Sequence, residues 1–128
     1  MAIKYQNILL IDDDTDDQEI FLEAVEQISA TATCIAFSDA ANALQKLIAK
    51  EMTPDVIFLD LNMPIMTGQQ FLLEIKKHHG VKNIPVIIFS TTSHLRTIAL
   101  TKEMGALDFI TKPSMFNDLL KVLTPLLT

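Results

Sequence analysis

The chain has 128 residues, 49% of them hydrophobic, which fits one domain with a real core. No apolar run approaches a membrane span, MAIKYQNILLI meets acidic residues too soon for a signal peptide, and one cysteine excludes an internal disulfide, so a cytoplasmic protein is the default expectation. The net charge of −6 comes from residues 12–19 (DDDTDDQE), which hold six acids and no base; the other acids and bases cancel, leaving no basic face for direct nucleic-acid binding.

Residues 6–12 (QNILLID) form an apolar run that ends in carboxylates, a first strand. A helix begins near Thr15, where Thr15 and Gln18 have capping-box spacing, and Ile20, Phe21, Ala24, Val25 and Ile28 follow its period. Asp14, Asp16, Asp17 and Glu19 read as helix-start acids favoured by the macrodipole. Thr31 to Phe37 is β-branched and apolar, a second strand with Cys34 as a small core residue. Ser38 or Asp39 caps a second helix that turns Ala40, Ala43, Leu44, Leu47 and Ile48 inward, and Thr53-Pro54 breaks it.

Val56 to Leu59 is short and wholly apolar, the mark of a strand buried on both faces. Asp60 stands at its carboxyl end, and Pro64 soon after cannot extend a ladder. Thr67-Gly68 starts a third helix carrying Phe71, Leu72 and Ile75, which ends in Lys76-Lys77-His78-His79-Gly80, two basic residues, a pair of histidines read as solvated and a stop glycine. Pro85 to Phe89 is a fourth strand that ends at Ser90, Ser93 to Met104 a helix stopped by Gly105, and Leu107 to Ile110 a fifth strand. His94 lies near the loop after the fourth strand and reads as a surface residue. Thr111-Lys112-Pro113 turns the chain, and Ser114 caps a last helix to about Leu127. That helix carries Phe116, Leu119, Leu120, Val122, Leu123, Leu126 and Leu127, a band wider than a core stripe needs, which suggests a partner or dimer surface.

Strict alternation of five strands and five helices implies an α/β fold: one doubly wound parallel sheet with right-handed crossovers and helices on both faces, spanning residues 1–128. For five strands the flavodoxin-like (βα)5 order 2-1-3-4-5 is adopted from known doubly wound folds; periodicity alone does not give it. In that order Asp12-Asp13 and Asp60 meet at the switch point between the first and third strands. Three carboxylates so close repel one another and call for a cation, and hard oxygen ligands at a water-accessible edge suit Mg2+. Lys112 adds a mobile positive charge and Ser90 a hydroxyl. Together they suit phosphoryl transfer, with Asp60 as nucleophile because it stands alone at the centre of the sheet while Asp12 and Asp13 are paired.

On these residues the whole chain resembles the response-regulator receiver domain of two-component signalling. Asp12-Asp13 matches the acidic pair, Asp60 the phosphoacceptor, and Asn62 the position whose carbonyl ligates the metal. Met63-Pro64-x-Met66-x-Gly68 matches the loop that follows, with Thr67 where aspartate is usual. Ser90 matches the switch hydroxyl, Phe109 the switch aromatic, and Lys112-Pro113 the lysine and its usual cis proline. The resemblance implies a stand-alone receiver with no output domain, which takes a phosphoryl group from a histidine kinase or histidine phosphotransfer protein. It is not otherwise an enzyme, catalysing only its own phosphorylation and dephosphorylation. Asp13, Asp60, the Asn62 carbonyl and, through water, Asp12 would hold Mg2+, while Lys112 and Ser90 engage the phosphoryl group. The output would pass to an unknown downstream protein through the fourth helix, fifth strand and fifth helix, a surface also open to homodimerisation.

Three rivals remain at this point. A phosphorelay intermediate would pass the group on to another histidine. A flavin-binding protein of the same fold would need a Ser/Thr/Gly-rich phosphate loop where this chain has DDDTDD. An aspartate-nucleophile phosphatase would place its nucleophile after the first strand rather than the third.

Overall fold

Strand and helix alternate along the computed structural model, which describes residues 5–128. The elements are β1 (Asn7–Ile11), α1 (Thr15–Ile28), β2 (Thr33–Phe37), α2 (Ala40–Ile48), β3 (Val56–Leu59), α3 (Gly68–Ile75), β4 (Val86–Ser90), α4 (Leu95–Glu103), β5 (Asp108–Thr111) and α5 (Phe116–Leu127). All five strands are parallel in the order β2-β1-β3-β4-β5. The flavodoxin-like order adopted from known doubly wound folds is therefore the one observed.

The strand sequences explain the layering. Every residue of β3 and β4 is buried, and successive side chains point to opposite faces. Leu9, Ile11, Ile57, Leu59, Val86 and Ile88 pack under α2 and α3. Ile8, Leu10, Val56, Phe58, Ile87 and Phe89 pack against α1 and α5. On that second face Phe21, Phe58 and Phe89 meet edge to face, with ring centroids 5.0 to 6.3 Å apart. The carboxylate of Asp55 accepts from the backbone N–H groups of Gln6 and Asn7, both at 2.9 Å, and ties the start of β3 to β1.

Several local details differ from the sequence expectation. Asp14, not Thr15, is the N-cap of α1, and its carboxylate accepts from the N–H groups of Asp16 and Asp17. Gln18 is drawn away from capping to donate to the Asp12 carbonyl and to the Ser38 hydroxyl. Asp39 caps α2, and Thr67 caps α3 in a full capping box with Gln70. His94 and Met115 precede α4 and α5 without a side-chain cap. The described residues contain no cis peptide bond, so Lys112–Pro113 is trans, against the expectation taken from the resemblance.

The apolar excess of α5 is absorbed rather than displayed. Leu119, Leu123 and Leu127 are buried, and Phe116, Leu120 and Leu126 pack half-buried against the same core. Exposed apolar side chains are scattered over the surface, and α4 with the stretch before β5 carries three of them: Leu95 is 83% exposed, Leu107 59% and Leu100 47%, while Thr101 is the one buried residue of α4. Cys34 is half-buried against the second core face, and burial pushes its thiol up to about 12. Among the described residues no helix is long and apolar enough to cross a membrane.

Candidate functional site

The ladder itself delivers the polar residues to one edge. Ile11 is in register with Phe37 on one side and Leu59 on the other. One residue further, the Asp12 N–H donates to the Phe37 carbonyl at 3.0 Å and the Asp60 N–H to the Ile11 carbonyl at 2.9 Å. On the other side, Ser90 is in register with Thr111, and the Lys112 N–H donates to the Ser90 carbonyl at 2.8 Å. Asp12, Asp60, Ser90 and Lys112 are thus fixed by backbone bonds at the carboxyl ends of β1, β3, β4 and β5, where ligands bind in open α/β sheets.

Asp12, Asp13 and Asp60 each bring one carboxylate oxygen within 4.8 Å of the others. Asp12 and Asp60 are buried and Asp13 is exposed, so the cluster opens to solvent on one side. The Lys112 ammonium lies 2.7 Å from Asp12 Oδ2, 2.9 Å from Asp17 Oδ2 and 3.6 Å from Asp60 Oδ2. It also sits 5.8 Å from the centre of the Phe89 ring, an attractive contact. Asp14 contributes only backbone, donating its N–H to Asp12 Oδ1 at 3.0 Å.

The β3–α3 loop closes the site from the other side. The Gly68 N–H donates to the Leu61 carbonyl at 3.1 Å. A Cβ on Gly68 would collide with the Asp60 carbonyl oxygen and come 2.7 Å from Leu61 Cα, so only glycine lets α3 start this close to the site. Ile65, 96% exposed, takes φ 67°, a strained conformation for a β-branched residue. The Asn62 N–H is 3.4 Å from Asp60 Oδ1, and its side chain faces solvent.

The electrostatics divide the two central groups. Burial raises the Asp60 carboxyl above its ordinary value; Lys112 opposes the shift, and the Asp12 charge adds to it. At Lys112 burial works against the ammonium, but hydrogen bonds to Asp12 and Asp17 and the charges of Asp12 and Asp60 outweigh it, so the pKa rises. A lysine charged at any physiological pH therefore stands over carboxylates that still carry excess negative charge. That all-oxygen donor set fits a hard divalent cation.

Of the residues singled out from the sequence, Asp12, Asp13, Asp60, Ser90 and Lys112 lie at this edge. Ser90 is fully buried, and its hydroxyl has a single long contact, the Thr92 N–H at 3.4 Å. Phe109 is half-buried on β5 opposite Ile88. His94 is exposed and makes no side-chain cap bond. The sequence reading missed Asp17, which it assigned to the helix-start acids. Asp17 pairs directly with Lys112, a contact that no local spacing signals.

Residues 8–124 match the family described as Response regulator receiver domain. The chain belongs to that family. Among curated relatives of this receiver domain, the DNA-binding transcriptional regulator NtrC of Escherichia coli K12 is 34% identical over 106 residues, covering 83% of the chain and 21% of the relative. The probable C4-dicarboxylate response regulator DctR of Bacillus subtilis is 34% identical over 113 residues, 88% of the chain and 48% of the relative. The chain thus spans between a fifth and a half of these longer proteins. Among solved structures, the phosphorylated cyanobacterial phytochrome response regulator RcpA superposes with a TM-score of 0.83 at 25% identity, over 94% of the receiver chain and 89% of its own. The Mn(2+)-bound form of response regulator Rcp1 gives 0.81 at 27% identity, over 93% and 89%.

Proposed function

We propose that this receiver domain accepts a phosphoryl group on Asp60 from a histidine kinase or histidine phosphotransfer protein, in a Mg2+-dependent step. The observation that carries the reading is the meeting of Asp12, Asp13 and Asp60 with the Lys112 ammonium at the switch point of the sheet. Asp12, Asp13, Asp60 and the Asn62 carbonyl would hold the ion, which neutralises charge on the phosphoryl oxygens when bound.

The chain's own groups supply the rest. A carboxylate oxygen of Asp60 attacks phosphorus; the new P–O bond forms as the donor's P–N bond breaks, and the donor imidazole keeps the electron pair. Burial raises the Asp60 carboxyl, so its ionised form is poorly solvated and reactive. Lys112, held charged by its acidic neighbours, pairs with the transferred group. The loosely held Ser90 hydroxyl turns to another phosphoryl oxygen. Its departure opens room for the half-buried Phe109 to turn inward, which biases a two-state surface on α4, β5 and α5. Exposed Leu95, Leu100 and Leu107 give that surface the apolar character a protein partner requires.

The reading is tested by incubating the protein with Mg2+ and a small acyl phosphate and measuring intact mass. One added phosphoryl group is expected, lost with EDTA and lost in Asp60→Ala. Labelling that persists in that variant, or that ignores the metal, contradicts the assignment.

A further inference from the structure

We propose that Asp17 is a positioning residue that competes with the phosphoryl group for Lys112, holding the ammonium on the α1 side of the site until Asp60 is phosphorylated. The inference rests on the phosphoacceptor reading above and adds a residue to it.

An ammonium has three N–H donors. Lys112 spends two of them, on Asp12 at 2.7 Å and Asp17 at 2.9 Å. Asp60, the acceptor, lies at 3.6 Å, outside hydrogen-bond range. The lysine that must serve the phosphoryl group is therefore drawn toward α1 and away from it.

The two bonds are not equally easy to give up. The Asp12 side chain is 1% exposed, so water cannot replace the ammonium at its Oδ2. The Asp17 side chain is 36% exposed, so water can take the place of the ammonium. The bond to Asp17 is the one that breaks when a phosphoryl oxygen arrives. Asp17 cannot follow the lysine across the site, because its own N–H is fastened to the Asp14 cap in the first turn of α1. Nor does α1 need Asp17 for its start: Asp14 caps it, and the exposed Asp16 already answers the macrodipole. Asp17 thus sets how much of the Lys112 interaction is available to the phosphoryl group.

The test uses the full chain with saturating Mg2+ and beryllofluoride, a non-covalent phosphoryl surrogate, titrated by calorimetry. Asp17→Asn keeps the shape and removes the competing charge, and it is expected to bind beryllofluoride about threefold to tenfold more tightly than wild type. Asp17→Glu restores an anion and is expected to return the affinity toward wild type. In a Lys112→Ala background the Asp17→Asn substitution is expected to change nothing, because Asp17 acts through Lys112; a merely structural role would act in both backgrounds. If wild type binds the surrogate and Asp17→Asn binds it equally or more weakly, or gains as much without Lys112, the competition is overturned while the phosphoacceptor reading stands. If wild type binds no beryllofluoride with Mg2+ present, both are overturned.

Discussion

At Asp60 burial and charge pull against each other. Its carboxyl is raised chiefly by desolvation, with Lys112 opposing and Asp12 adding to the shift. The folded chain therefore binds the Asp60 proton more tightly than the unfolded chain does. Ionising Asp60 costs folding stability as pH rises from the ordinary carboxylate value of 3.8 through the raised folded value, and the full cost persists above it. Lys112 stays charged throughout this range and does not contribute to the slope. In EDTA, Asp60→Asn is expected to match wild-type stability at about pH 3 and to exceed it near pH 7, by on the order of 1 kcal/mol. Urea midpoints across that range measure the gap, and carboxylates remote from Asp60 cancel between the two proteins. A gap that is flat, or that favours wild type at neutral pH, contradicts the account of Asp60 as a group kept charged at a cost to stability.

The elements that position the site are short, and their precision comes from backbone contacts. The start of α3 shows this best. Gly68→Ala puts a methyl group against the Asp60 carbonyl and Leu61 Cα, both backbone atoms that cannot swing aside. It is expected to destabilise the fold by about 1–3 kcal/mol and to slow phosphorylation of Asp60. Denaturant midpoint and labelling rate are the readouts, and a variant with wild-type values in both would refute the close approach. Much at this scale was legible: the apolar runs of β1, β3 and β4 announced buried parallel strands, and Thr67 announced the cap of α3. The start of α1 near Thr15 was read correctly, but its cap was not, because two capping solutions compete within DDDTDD. Asp14 reaches the first-turn N–H groups directly, and that frees Gln18 to bond the Asp12 carbonyl and Ser38, a tertiary contact that no local pattern encodes. The wide apolar band of α5 has a packing reason as well: α1 and the aromatic core cover more of α5 than a minimal stripe.

Across the whole molecule, alternation dictated a parallel sheet, but the strand order that joins the end of β1 to the end of β3 was adopted from known folds. Once that order holds, the convergence of Asp12, Asp13, Asp60 and Lys112 follows from register, because each polar residue stands one or two residues beyond the end of a strand. The share of Lys112 taken by Asp17 does not follow from register. It depends on a side chain reaching across from α1 to the far side of the site, and a sequence of six closely spaced acids does not say which of them will meet a lysine 95 residues away. The resulting molecule is asymmetric: Asp12, Asp13 and Asp60 gather at one anionic edge, while Leu95, Leu100 and Leu107 are exposed on α4 and before β5. The central claim is that Asp60 is the atom-level acceptor. It is tested most directly by phosphorylating the protein with Mg2+ and an acyl phosphate, reducing the acyl phosphate with borohydride, and sequencing the peptides by mass spectrometry. The account predicts homoserine at position 60 and unchanged aspartate at positions 12, 13 and 17; homoserine at any of those three, or none at 60 in labelled protein, would contradict it.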